Sequence, residues 1–311
     1  MGLVVLGLQQ SALWGWSSGA TWACIVAGLL CLAAFVRREL RTPEPLLRLQ
    51  IFRDRGFTID NVVLALMSVV FVPFFFFASV YAQVSLGETA TKAGLYLLYF
   101  FIGFVVMAQI GGRVLDKRGA RPAVVIGSMI AAVGFYLLAG KLSDLSLHAQ
   151  STYIIIAGGG MGLMLGPAST DAVNRAPSTS YSEVTGITQT ARNFGASLGL
   201  AVLGAILIAQ NKANASHALL ARGVPSSVAA RIAGEFSGHG YAGAASGQRG
   251  PLVHAVEAAT AQSTQTVFYI MAAVMAATFL IAVVWFPRGR VEPPEERSEE
   301  VTVSEALGAG I

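Results

Sequence analysis

Three charged residues stand inside long apolar runs of this chain: Asp60, Asp171 and Arg192. A charge near the middle of a bilayer costs at least about 2.5–3.5 kcal/mol, so it turns toward a cavity or a partner of opposite sign. Asp171 lies near the end of one run and Arg192 in the facing half of the next, a placement that lets the two pair as a gate latch. Asp60 lies a few residues into its own run, close to the membrane surface. A fourth acid, Asp116, sits among Arg113, Lys117, Arg118 and Arg121 in the stretch GGRVLDKRGARP, residues 111–122. The chemistry these residues offer is the making and breaking of ion pairs.

Other chemistries find no residues to carry them. His148, His217, His239 and His254 fall in polar stretches, and none has metal-ligand spacing. Cys24 and Cys31 lie about 10 Å apart along a helix, beyond disulfide reach. The run GGGMGLMLG, residues 158–166, is glycine-rich but lacks the lysine and the preceding strand of a phosphate-binding loop. With no nucleophile–base pair, metal site or cofactor motif, the expected class is not an enzyme, and no cofactor is expected. The basic stretches are short and tied between apolar runs, which excludes a nucleic-acid partner.

The elements that must hold these charges follow from composition. Hydrophobic residues make up 54% of the 311 and charged ones only 12%, where soluble domains carry about a quarter charged. A helical bilayer crossing takes about 20 apolar residues. Seven runs serve, at about 19–36, 57–80, 93–113, 123–140, 152–173, 186–209 and 266–286. The expected fold is therefore an all-α polytopic membrane protein, with the lipid bilayer as its first partner. The opening MGLVVLGLQQSALWGW has neither a basic leader nor a cleavage site, and reads as the second half of a helix.

Arginines and lysines in short loops mark the cytoplasmic side. Arg37, Arg38, Arg41, Arg48, Arg53 and Arg55 in the 37–56 linker share one side with the 111–122 stretch, Arg175, Arg288 and Arg290. That side, and the C-terminus with it, is expected to be cytoplasmic. Residues 210–265 read as one long polar extracytoplasmic loop, with a short amphipathic helix near 226–236. The charged, proline-bearing tail 287–311 reads as disordered.

In the 111–122 stretch, Gly119 and Pro122 supply a turn between two spans, and Gly112 allows a close helix approach. The segment GRVLDKRGAR resembles the cytoplasmic loop motif of the major facilitator superfamily, roughly Gly-x-Leu-x-Asp-Arg-x-Gly-Arg-Arg. Gly112, Asp116, Gly119 and Arg121 carry the likeness, with Lys117 and Arg118 beside them, while Val114 and Ala120 depart from it. Three further segments, PLLRLQIFRDRGFTIDN, GGGMGLMLGPASTDAVNRAP and TGITQTARNFGASLGLAVLGAIL, resemble successive parts of the second half of EmrB/QacA-type transporters, which have fourteen helices.

The resemblance implies a partial helix and a linking span over 1–36, a cytoplasmic linker over 37–56, and a C-terminal six-helix bundle over 57–286. It implies export of lipophilic drugs or similar small molecules in exchange for protons, by alternating access, in the bacterial inner membrane. It equally fits one half of a split transporter, inactive until an N-terminal half-transporter joins it. Gly158, Gly162 and Gly166 share a helical face beside Pro167, and Gly195 and Gly199 form a second small-residue pair. Such spacing serves close helix packing, or a bend that opens a cavity. Phe74, Tyr81, Tyr96, Tyr99 and Phe104 line an aromatic cavity or else meet lipid.

Overall fold

The computed structural model describes residues 2–14, 18–42, 49–175, 181–221, 225–228 and 251–289. Eight long α-helices fill them: α1 Gly2–Trp14, α2 Gly19–Glu39, α3 Arg55–Val84, α4 Ala90–Arg118, α5 Ala120–Lys141, α6 Leu147–Asn174, α7 Tyr181–Leu220 and α8 Pro251–Trp285. Among the described residues there is no strand, and the seven helices after α1 are long and apolar enough to cross a membrane. This is an all-α polytopic membrane protein.

Local signals set the helix starts. The Asp54 carboxylate accepts from Gly56 N–H at 2.7 Å and Phe57 N–H at 3.4 Å, capping α3, and Thr89 caps α4 through Lys92 N–H. Each cap satisfies a donor that the first turn leaves unpaired. Pro73 sits inside α3. A proline there removes one backbone bond, a loss that neighbouring helices can absorb in a membrane bundle.

Helices α3 to α8 form the bundle, with α6 the most buried span. It packs on α4 and α5, while α3 packs on α7, and α8 closes against α3, α5 and α7. Helix α1 lies against α2 and α7. Glycine governs these seams. A Cβ on Gly158 or Gly162 would collide with the carbonyls of Phe100 or Phe104 on α4, and one on Gly160 would collide with Ala131 on α5. On the other seam, Gly195 meets the Ala65 carbonyl and Gly199 the Val69 carbonyl. Backbone therefore lies on backbone, the close approach that small residues permit in membranes. Gly166 has nothing within 4 Å, so packing does not explain it.

Several boundaries differ from the hydropathy reading. Helix α7 runs on to Leu220, and α8 begins at Pro251, so residues 210–220 and 251–265 are helix rather than loop. Both extensions are polar but rich in alanine, the best helix former. They pack together where Asn214 Nδ2 donates to Ser263 Oγ at 3.0 Å and Ala215 meets Ala259. Of the short helix expected near 226–236, residues 229–236 lie outside the described residues, as do 43–48 of the linker and 290–311 of the tail.

The glycine seams yield a graded expectation. Gly162→Val should lower stability by about 1–3 kcal/mol, the usual penalty for overpacking, read as a drop in the thermal midpoint of the chain in detergent. Gly166→Ala should leave that midpoint unchanged.

Candidate functional site

At the arginine-rich end, the last turn of α6 faces the first turns of α3. Arg175, the residue that ends α6, donates from Nε to Asp60 Oδ2 on α3 at 3.1 Å. The same guanidinium reaches Asp171 Oδ2, one turn back on α6, at 2.9 Å. Asp60 and Asp171 side chains are 0% and 2% exposed and that of Arg175 is 13% exposed, so this is an interior cluster. A cation suits the C-terminal end of a helix, where unpaired carbonyls gather negative charge. Gly56 makes room for it: a Cβ there would stand 2.5 Å from an Arg175 guanidinium nitrogen.

The sequence suggested Arg192 as the partner of Asp171, and the structure puts Arg175 there instead. Arg175 was counted only as a loop cation. A spacing of four residues from Asp171 on one helix was the available signal, since such pairs are neighbours on a helix surface. Arg192 sits half-buried on α7, and its Nε has no hydrogen-bond partner among the described residues.

The loop motif is tighter than expected. Helix α4 ends at Arg118 and α5 begins at Ala120, so one residue makes the connection. That residue is Gly119, at φ 79° and ψ 179°, a conformation open essentially to glycine alone. Pro122 falls inside the first turn of α5, where it costs no backbone bond. Gly111, rather than Gly112, makes the close approach, 2.5 Å from the Leu163 carbonyl to a Cβ there, while Gly112 faces open space. Arg121 Nη2 donates to the Val283 carbonyl at 2.6 Å, tying the motif to the last turn of α8. Asp116, Lys117 and Arg118 are exposed, and Asp116 has no ion pair among the described residues.

The opposite end holds a second polar group of residues, which sequence reasoning did not assemble. Tyr81 Oη donates to the Leu142 carbonyl at 2.6 Å. Gln150 Nε2 donates to Tyr81 Oη at 2.8 Å and to the Lys141 carbonyl at 3.1 Å, and Tyr96 Oη donates to Gln150 Oε1 at 2.9 Å. This network joins α3, α4, α6 and the end of α5. Tyr81 and Tyr96 are thus core residues, not cavity lining. Phe74 is core as well, stacked on Phe100 with ring centroids 4.5 Å apart and packed on Phe135 and Phe268. Tyr99 and Phe104 pack half-buried against the same core. Among the described residues these aromatic side chains pack against one another between the helices.

A third feature is a polar stripe on α7. Thr185, Gln189 and Asn193 recur every fourth residue and are exposed, and Gln189 Nε2 donates to Asn193 Oδ1 at 3.2 Å. Thr190, Asn193, Phe194 and Ser197 border a cleft whose other wall is Gly2, Val5, Leu6 and Gln9 of α1. The repeat was legible in TGITQTARNFGAS, but hydropathy averaged it away.

Seven apolar spans, glycine seams and a loop motif pinned by Gly119 define a polytopic helical membrane protein. The chain belongs to the Major Facilitator Superfamily, whose pattern it matches over residues 2–200. It is 29% identical over 204 residues to the tetracenomycin C resistance and export protein of Streptomyces glaucescens, a match covering 66% of this chain and 38% of that protein. It is 29% identical over 205 residues to the multidrug transporter protein MdtP of Bacillus subtilis, covering 64% and 37%. To the lincomycin resistance protein LmrB of Listeria monocytogenes it is 28% identical over 215 residues, covering 68% and 45%. The matches thus span about two-fifths of the length of these curated relatives.

Removing the shared cation should expose the strain in the interior cluster. Arg175→Met leaves Asp60 and Asp171 facing each other unbridged, and should cost about 3–5 kcal/mol, the penalty for breaking a buried pair. Gln150→Leu should cost about 1–3 kcal/mol by leaving the Tyr96 hydroxyl without its acceptor, while Tyr81 keeps the Leu142 carbonyl. Thermal unfolding in detergent, followed by circular dichroism, measures both.

Proposed function

We propose that this chain forms the second six-helix bundle, with its linking helices, of a fourteen-helix EmrB/QacA-type exporter in a bacterial inner membrane. It moves lipophilic drugs or similar small molecules outward in exchange for protons. The observation that carries this reading is the α7 stripe. Thr185, Gln189 and Asn193 are exposed in a helix that must cross the bilayer, and polar groups at that depth face a water-filled cavity or another helix rather than lipid. Small-molecule transport uses such a surface at the interface between two bundles. Relatives named for export and for drug resistance support the substrate class.

In this reading the arginine-rich end is cytoplasmic, by the positive-inside rule, and the C-terminus lies on the same side. Asp116, Lys117 and Arg118 form a surface at that end which another bundle can engage in one conformation and leave in the other. Gly195, Gly199 and Pro73 let α3 and α7 slide as one unit. A second reading is that the chain is a half-transporter, inactive alone, with an N-terminal half-transporter as partner. What supports it is the coverage: the matched region is 38% of the Streptomyces relative.

Ethidium efflux from an efflux-deficient bacterium tests both readings. The chain should insert but not pump when expressed alone, and should pump when co-expressed with the N-terminal six-helix half of the Streptomyces relative. Pumping alone would remove the second reading. No pumping in any combination, with both parts in the membrane, would remove the efflux reading. In the active combination Asp116→Asn should slow efflux several-fold without lowering insertion.

A further inference from the structure

The interior cluster at the arginine-rich end does not balance as ions. Asp60 and Asp171 bring two carboxyls and Arg175 one guanidinium, which bonds Oδ2 of each. The other oxygen of Asp60, Oδ1, is buried and has no hydrogen-bond donor. Both Oδ2 atoms accept from the same Arg175 Nε, at 3.1 and 2.9 Å, which holds the two carboxyls side by side. Two ionised carboxylates repel at that range, whereas one proton between them makes a bond. Among the described residues, Arg175 is the cation paired with Asp60 and Asp171; Arg192 of α7 and Arg53 of the 3-10 turn Leu49–Arg53 make no ion pair with either. Neutral groups do not supply the missing charge either. Asn61, the next residue, spends its Nδ2 on the Phe57 carbonyl at 2.8 Å.

We propose that the Asp60–Asp171 pair is a proton-binding site, taking up one proton that the two carboxyls share beside Arg175. This rests on the proton-exchange reading above and locates its acidic site in this bundle. A proton is the cation that fits. A hard metal ion takes about six oxygen ligands or more, and here it would sit against a guanidinium. With the proton bound the cluster is neutral and can stay buried. When the proton leaves, one carboxylate has no compensating charge, and burying it is costly enough to favour an arrangement in which water reaches this end. Arg175 positions the pair and keeps the second carboxylate ionised; Gly56 provides its seat.

The test is pH-difference infrared spectroscopy on the full chain in lipid nanodiscs. The native chain should show the carbonyl stretch of a protonated carboxyl, fading as pH rises, and Asp60→Asn should lose it. Absence of the band from the native chain, or its persistence in Asp60→Asn, overturns the site. Sodium added at constant pH should leave the band in place; its loss on sodium addition makes this a metal-cation site instead. Asn has the shape of a protonated Asp, so Asp60→Asn should melt within a few degrees of the native chain. Collapse of that variant means an ionised Asp60 is required, which also overturns the proposal. Asp171→Asn, which leaves a balanced Asp60–Arg175 pair, should fold and lack the shared-proton band. None of these readouts needs transport. The expected band in a chain that never supports efflux would leave the site standing and remove the export reading; efflux without the band would do the reverse.

Discussion

In lipid, burying an apolar side chain between helices gains little, because the alternative surroundings are equally apolar. Helices must associate through close packing and polar contacts. That constraint explains the placement of glycine. At 3.6 residues per turn, positions two apart lie about 200° around a helix. Gly158 and Gly160 are such a pair, and they seat α6 on α4 and on α5 respectively. The consecutive glycines 158–160 therefore let a single helix dock by its backbone on two opposite sides, with Gly162 extending the first seam. Gly195 and Gly199 repeat the device where α7 meets α3. Seams this tight leave no room for long side chains at mid-depth, and the aromatic rings of α3, α4, α5 and α8 fill what is left.

Polar residues are consequently pushed toward the two ends, which are built differently. Around Gln150 each principal donor has an acceptor, and the bonds lock α3, α4 and α6 to the end of α5 and the start of the Leu142–Asp144 turn. Such a satisfied network rigidifies what it joins. Around Arg175 one cation serves two acids, and an oxygen goes without a donor. A buried pair of that kind contributes little net stability, because desolvation offsets attraction.

The sequence made the number, order and approximate limits of the spans legible because hydropathy over 20 residues is a strong signal. It also exposed the loop motif and the small-residue faces. Tertiary partners were harder. Asp171 and Arg192 are adjacent in a list of intramembrane charges, but the helix register aims Asp171 at Arg175 and across at Asp60. The aromatic residues look alike in sequence whether they face a cavity, lipid or one another, and only packing distinguishes Phe74 in the core from Phe76 at the surface. Helix ends beyond the membrane escaped notice because alanine-rich polar segments resemble loops to a hydropathy scale.

Unpartnered polar atoms are informative by their distribution. Buried polar groups in native proteins are nearly always hydrogen-bonded, so each exception asks for an explanation. Here Asp60 Oδ1, Asn61 Oδ1, Ser169 Oγ, Thr188 Oγ1 and Arg192 Nε, five of the seven such side-chain atoms among the described residues, belong to the arginine-rich halves of α3, α6 and α7, while Ser85 Oγ lies at the other end of α3. Most of the unmet atoms thus gather on three neighbouring helices at one end, while the Gln150 network at the other end is satisfied. The arginine-rich end is also the end where Arg121 and the Gly119 turn tie α4, α5 and α8 to one another.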